Sequence, residues 1–249
     1  MSYPGFYATM AALSGHPALK AVSPQAPILD WFKGDDVHHN GALMLMDIYS
    51  FAPYMFKKHD NPVEEDHGLP SPIGPDAYSW FLYQLTPANL TAALPDTLQF
   101  WNGILEHPDY DEYWKERSLE PHLKGIEPAI LVVGGEFDTD DCYGALNTYK
   151  LIRDNSPQTD LHFVYGPWTH GGWHNADYEG LGDRKFGKNL SRYFMEKIEY
   201  PFFRYYLEGK GKRPEPVYLF ASGSEEWQVM EKWPADGIDY TPLYLSENS

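Results

Sequence analysis

Cysteine is almost missing from this sequence: a single residue, Cys142, in 249. One thiol cannot build an internal disulfide framework or a multi-cysteine zinc site, and it leaves the redox compartment open. Basic residues are also scarce. Nineteen Lys and Arg stand against 36 Asp and Glu, a net charge of −17, which argues against nucleic acid or an anionic membrane surface as a partner. Long apolar runs are lacking as well. The longest uncharged stretches, residues 1–19 and 77–95, are interrupted by Pro4, Gly5, Gly15, His16 and Pro17 in the first and by Ser79, Gln84, Pro87, Asn89 and Thr91 in the second. Neither has the composition of a membrane-spanning helix, and neither reads as a secretory signal, which leaves localisation open.

What is there suits a packed protein. Hydrophobic residues make up 43% and charged residues 22%, enough for a real core over one large domain or about one and a half. Aromatic residues reach 16%, with 19 Tyr and 8 Trp; an aromatic-lined pocket and ordinary core use both explain such a content.

The hydrophobic pattern is of α/β type. Residues 6–14 read as a compact helix ended by Gly15 and Pro17, and 19–23 as a short buried strand. Residues 43 to about 124 are helical in pattern and aromatic-rich, with breaks expected at Pro53, Pro62, Pro70, Pro72, Pro87 and Pro95. This block reads as a helical cap inserted between strands. The run Ala-Ile-Leu-Val-Val-Gly at 129–134 is a buried strand of parallel type. A helix over 143–153 and a strand over 162–165 follow. Leu190, Phe194, Ile198, Phe202 and Tyr206 recur every four residues, predicting a one-striped helix that Gly209 ends and Pro201 kinks. After Arg213 the texture changes, and 217–221, the stretch around 227–230 and 243–245 read as strands of a separate all-β unit. The expected division is therefore 1–42 and 125–212 for the α/β core, 43–124 for the cap, and 213–249 for the start of a β domain.

Three loops carry chemistry. Ser2 precedes a tight turn and a helix. Asp138 follows the strand that ends in Gly134, within Gly134-Gly135-Glu136-Phe137-Asp138. His170 follows the next strand, within Gly166-Pro167-Trp168-Thr169-His170. Serine, aspartate, histidine is the chain order of α/β-hydrolase triads, with each member at the carboxyl end of a strand. A serine hydroxyl is a weak nucleophile at neutral pH. An imidazole must take its proton, and a carboxylate must hold that imidazole in the right tautomer. Each residue also has a bland reading: a terminal serine, a helix-capping aspartate and a solvated loop histidine. The conjunction of order and placement favours the triad.

Acidic residues gather near the same loops, with Asp35 and Asp36 in Lys33-Gly34-Asp35-Asp36 and Asp140 and Asp141 just after Asp138. They can be solvated turn carboxylates, metal ligands or a site for a cationic substrate group. The Asp138 segment lacks the glycine and terminal glutamate of an EF-hand, and no HExxH is present, so neither a metal nor another cofactor is expected.

These motifs resemble the α/β-hydrolases that group cocaine esterase, glutaryl-cephalosporanic acid acylases, Xaa-Pro dipeptidyl-peptidases and α-amino-acid ester hydrolases. Ser2-Tyr3-Pro4-Gly5 is similar to the second half of their Gly-x-Ser-Tyr-x-Gly elbow. Gly134-Gly135-Glu136-Phe137-Asp138 resembles their acid loop, and Gly166-Pro167-Trp168-Thr169-His170 their histidine loop. The resemblance implies an α/β-hydrolase core with N-terminal strands missing, a helical cap and the start of a C-terminal jelly roll, and hence a central piece of a longer protein. It implies Ser2 as nucleophile, His170 as base, Asp138 as its orienting acid and the Tyr3 N–H as an oxyanion donor. The nearest likeness is to the α-amino-acid ester hydrolases, which implies that Asp36, Asp140 and Asp141 hold a substrate α-ammonium, although Asp140 stands where those enzymes carry a longer glutamate. The implied partner is a small-molecule ester or amide with an α-amino group, with no nucleic acid or membrane involved. Homo-oligomerisation is compatible with the sequence. A dipeptidyl-peptidase, a glutaryl acylase or a non-catalytic fragment are the alternatives.

Overall fold

The computed structural model describes residues 1–55, 73–92, 94 and 99–244. The chain opens on helix α1 (Tyr3–Leu13) and strand β1 (Ala21–Val22), followed by a small ribbon, β2 (His38–His39) with β3 (Ala42–Leu43). Among the described residues, α2 (Leu45–Met55), α3 (Ala77–Gln84), α4 (Pro87–Thr91), α5 (Gln99–Glu106) and α6 (Glu112–Lys115) come next. The α/β pattern resumes with β4 (Ala129–Gly135), α7 (Cys142–Asn155) and β5 (Leu161–Gly166). A second ribbon joins β6 (Gly180–Leu181) to β7 (Arg184–Lys185). Helix α8 (Leu190–Tyr193) then runs through a π-helical segment, Phe194–Glu199, into α9 (Tyr200–Glu208), and the chain returns as β8 (Val217–Ala221) and β9 (Glu226–Met230).

One sheet of order β1-β4-β5-β8-β9 organises the molecule, parallel throughout except for the antiparallel β8–β9 pair. Strand β4 is buried along its whole length, as its unbroken apolar run predicts. Its side chains alternate between two cores. Ile130 and Val132 join Ala145, Tyr149 and Ile152 of α7 on one face. Leu131 and Val133 join Phe194, Ile198 and Phe202 on the other. Helices thus cover both faces, the layering that a parallel sheet requires. A third cluster, with Trp31, Ile48, Tyr49, Trp101 and Trp114 at its centre, belongs to the helical block.

The structure corrects the expected boundary at 213. Residues 217–221 are no part of a separate β unit: Phe163, Val164 and Tyr165 of β5 pair in parallel with Val217, Tyr218 and Leu219 of β8. Val217, Tyr218 and Phe220 are buried against this sheet. A five-residue strand after the exposed loop at 209–213 looks the same in sequence whether it opens a new sheet or closes the old one. Residues 243–244 form no strand, and Leu245 lies outside the described residues. Pro53 does not break α2 but sits in its last turn, where proline removes a single helical hydrogen bond. Pro87 starts α4, the position where proline is best tolerated. Pro62, Pro70, Pro72 and Pro95 lie outside the described residues. Among the described residues no helix is long and apolar enough to cross a membrane.

Candidate active site

Ser2 sits on a sharp turn into α1, with φ 60° and ψ −130°. A non-glycine residue in that region is strained by about 1–3 kcal/mol and needs neighbours that hold it there. They are visible. The Ser2 N–H donates to the Gln25 carbonyl at 2.9 Å, and bridges from Ser2 to Pro27 and from Gln25 to Val133 extend the sheet past β4 to the serine. Gly5 completes the turn: a Cβ there would lie 2.4 Å from the Gln25 carbonyl oxygen. The Ser2 side chain makes no capping bond to α1. Tyr3, the first residue of α1, carries its N–H where helical amides lie beyond the reach of the helix's own carbonyls.

The acid and histidine loops are fastened to each other as they leave β4 and β5. Glu136 N–H donates to the Gly166 carbonyl at 2.8 Å, and Phe137 N–H to the Trp168 carbonyl at 3.0 Å. A Cβ at Gly135 would meet the Trp168 oxygen at 2.3 Å, so this close approach demands glycine. His170 Nδ1 consequently lies 3.0 Å from both oxygens of Asp138. An ionised carboxylate only accepts, so Nδ1 carries the proton and Nε2 is left basic in the neutral ring. Asp138 is buried, and its Oδ1 also accepts the N–H groups of Asp140 and Asp141, each at 3.1 Å. Burial by itself would lower the His170 pKa. The hydrogen bond and charge of Asp138, with the charges of Asp140 and Asp36, outweigh it and hold the imidazole above its ordinary value.

A cavity of about 680 Å³ brings Ser2, His170, Asp36 and Asp140 together. Asp47, in the first turn of α2, joins them. Met46, Ile48, Phe51, Ile73, Ala77 and Phe81 supply an apolar wall. Burial, and then the charge of Asp140, push Asp36 up to about 7; burial also raises Asp140. Sequence reading missed Asp47 and the apolar wall. An aspartate in a helix's first turn has an ordinary role at the positive end of the dipole, so nothing singled it out.

Two acidic residues behave differently from their neighbours. Asp35 is wholly buried and accepts N–H groups from Leu29 at 2.9 Å, Asp30 at 3.0 Å and Gly144 at 2.7 Å. It ties the loop bearing Asp36 to the start of α7, and burial lifts its carboxyl to about 8. Asp141 is placed differently from Asp36 and Asp140. It is wholly buried, off the cavity wall, and neither carboxylate oxygen has a hydrogen-bond partner. Its Oδ2 lies 3.7 Å from His170 Nδ1. Asp138, Asp140 and His170 offer donor atoms within 4.8 Å of one another. Both Asp138 oxygens and His170 Nδ1 are already engaged with each other.

A parallel sheet with a strained serine turn, an acid loop and a histidine loop at its strand ends is that of an α/β-hydrolase. Residues 1–172 match the X-Pro dipeptidyl-peptidase family (S15 family), and the chain belongs to it. It is 27% identical to the cocaine esterase of Rhodococcus sp. (strain MB1 Bresler) over 259 aligned residues, covering 98% of this chain and 43% of that protein. Among solved structures, an aminopeptidase from a marine sediment archaeon, Thaumarchaeota archaeon, superposes with a TM-score of 0.87 at 29% identity, covering 99% of this chain and 40% of the other. An α-amino acid ester hydrolase gives a TM-score of 0.81 at 29% identity, with coverages of 94% and 38%. The chain therefore spans about two fifths of the length of these relatives.

Proposed function

We propose that this chain carries the catalytic centre of a serine hydrolase acting on esters or amides whose acyl group bears a free α-amino group. One observation carries the reading: carboxylates Asp36 and Asp140 open into the same cavity as Ser2 and His170. Ser2 Oγ attacks the acyl carbonyl carbon while His170 Nε2 takes its proton. The Tyr3 N–H is assigned as a donor to the developing oxyanion. As the C–O or C–N bond breaks, His170 returns the proton to the leaving alcohol or amine. Water then enters by the same route and releases the acid, or an amine takes the acyl group. Asp138 keeps His170 oriented.

Asp36 and Asp140, with Asp47 nearby, provide the anionic side of the cavity. Carboxylates placed this close repel one another unless a cation relieves them, and a substrate α-ammonium does so. Among the described lining residues none is lysine or arginine, which disfavours an anionic acyl group such as glutaryl. The names of two relatives, aminopeptidase and α-amino acid ester hydrolase, support the same substrate class. Asp141 is wholly buried, and that burial holds its carboxyl well above the usual carboxylate range, which weakens it as an ammonium ligand.

The test compares phenylglycine methyl ester with phenylacetic acid methyl ester, which lacks only the amino group. A charge-assisted hydrogen bond to a partly desolvated carboxylate contributes about 1.5–3 kcal/mol. Asp36→Asn and Asp140→Asn should therefore each lower the amino/des-amino ratio of kcat/KM roughly ten- to a hundredfold, and Asp141→Asn should change that ratio far less. If the Asn variants slow both esters equally, the carboxylates only support the fold or the triad, and a general esterase is the better reading. A preference for dipeptide amides over both esters would point to a dipeptidyl-peptidase.

A further inference from the structure

One buried polar side chain joins the serine turn to the histidine loop, and the chemistry above makes no use of it. Gln25 is 6% exposed. Its Nε2 donates to Glu199 Oε1 at 2.5 Å and to Ser23 Oγ at 3.1 Å, while its Oε1 accepts from Trp173 Nε1 at 2.9 Å. An amide offers two donors and one doubly accepting oxygen, so these bonds fix its orientation. Two of these partners lie on separate elements. Trp173 is in the short 3₁₀ turn Gly172–His174, directly after His170. Glu199 closes the π-helical segment Phe194–Glu199, and its Oε1 lies 3.5 Å from His174 Nε2.

The backbone of the same residue seats the nucleophile. The Gln25 carbonyl accepts the Ser2 N–H and is the atom against which Gly5 packs. Ala26, next in the chain, has φ 39° and is wholly buried, its N–H held by the Val133 carbonyl at 2.8 Å. A buried alanine with positive φ persists only where its surroundings over-determine it. The Gln25 side chain is part of those surroundings.

We propose that Gln25 is a positioning residue that sets Ser2 against His170, with Glu199 as the clamp that holds its amide. The proposal rests on Ser2 and His170 being nucleophile and base. If the clamp is lost, the Gln25 carbonyl and the Trp173 turn are free to shift separately, and an error of about 1 Å between reacting groups costs about a hundredfold in rate.

The experiment uses the full-length protein and follows two readouts: kcat and KM for an ester, and the rate at which a fluorophosphonate labels the serine. Gln25→Glu sets one carboxylate against another. It should lower kcat and the labelling rate together by about ten- to a hundredfold, with KM little changed and the far-ultraviolet circular dichroism intact. Adding Glu199→Gln swaps donor and acceptor across the contact and should restore most of the labelling rate, the signature of a direct coupling. Gln25→Met removes the polar groups without adding charge. It should show the same loss, and Glu199→Gln should not rescue it. A folded Gln25→Glu or Gln25→Met variant that labels at the wild-type rate would overturn the proposal, as would a swap that fails to recover in folded protein. If Gln25→Glu does not fold, Gln25→Met decides by the same readouts. Labelling that survives Ser2→Ala sinks the nucleophile assignment, whereas labelling lost in Ser2→Ala but unaltered in the Gln25 variants sinks only the positioning role.

Discussion

His170 works among negative charges, and that has a sign. The charges of Asp138, Asp140 and Asp36 hold its pKa above the ordinary value against the opposing effect of burial. A general base must be neutral, and the pH dependence of kcat/KM reports the free enzyme. For the des-amino ester, kcat/KM should therefore rise with pH to a plateau, with a midpoint above about 6.5, the unperturbed imidazole value. Asp140→Asn and Asp36→Asn each remove a charge that favours the imidazolium, so both should move the midpoint to lower pH. For the amino ester the profile should also fall at high pH, as the substrate ammonium, with an unperturbed pKa of about 8, loses its proton. A midpoint that stays fixed in both Asn variants would mean that these carboxylates do not act on His170. At this scale motif order was legible in the sequence and exposure was not. Motif order pointed to Ser2, Asp138 and His170, and the structure brings Asp138 against His170 and places Ser2 and His170 on one cavity. Asp36, Asp140 and Asp141 were all expected around one pocket, but one residue of difference in a turn decides whether a carboxylate faces a cavity or a core.

Elements were legible where local chemistry decides them. The Gly209 stop appears as expected, in left-handed conformation, with Lys210 N–H reaching back to the Arg204 carbonyl, a Schellman-type ending. The stripe at Leu190, Phe194, Ile198 and Phe202 is buried as its spacing implies. However, a strict period of four drifts by about 40° per step on a helix of 3.6 residues per turn. The wider π turns at Phe194–Glu199 absorb that drift and end just before Pro201, so a local change of winding occurs where a kink was expected. The elbow shows how an element can fix a site. An added methyl at Gly5 would meet only backbone: the Gln25 oxygen at 2.4 Å, the Pro27 Cα at 3.1 Å and the Ala26 oxygen at 3.3 Å. Backbone on two sides cannot step aside, so α1 must move and take Ser2 with it. Gly5→Ala should lower kcat about a hundredfold and destabilise the fold by about 1–3 kcal/mol. Gly15→Ala is the control: φ is +62° but nothing lies within 4 Å, so it should cost about 1 kcal/mol of strain with little change in kcat. Equal kcat losses in the two variants would show that general destabilisation, and not displacement of the elbow, explains the effect.

For the whole molecule, the question is where the α/β unit ends. A sequence cannot show which sheet a strand joins, because pairing is set by partners far away in the chain; Val217 lies opposite Phe163. The expected boundary at 213 and the observed sheet make opposite predictions about a chain cut there. If residues 213–249 opened an independent β domain, a protein ending at Arg213 would keep its core. In the observed sheet that cut removes Val217, Tyr218 and Phe220, which are 0%, 8% and 5% exposed. Burying side chains of this size contributes about 1.5–3 kcal/mol each, a sum comparable to the total stability of about 5–15 kcal/mol for a typical domain. The cut also uncovers the β5 edge, whose unpaired backbone groups then lie beside the apolar Phe163 and Val164 in an aggregation-prone arrangement. A protein truncated after Arg213 should therefore be insoluble or lack a cooperative thermal transition, whereas one truncated after Trp233 keeps β8, β9 and the Trp233 N–H bond to Tyr149 Oη at 3.1 Å and should retain it. Size-exclusion chromatography and a melting curve on both proteins decide the matter. A soluble, cooperatively melting protein ending at Arg213 would return the boundary to 213 and make the β5–β8 pairing dispensable to the α/β core.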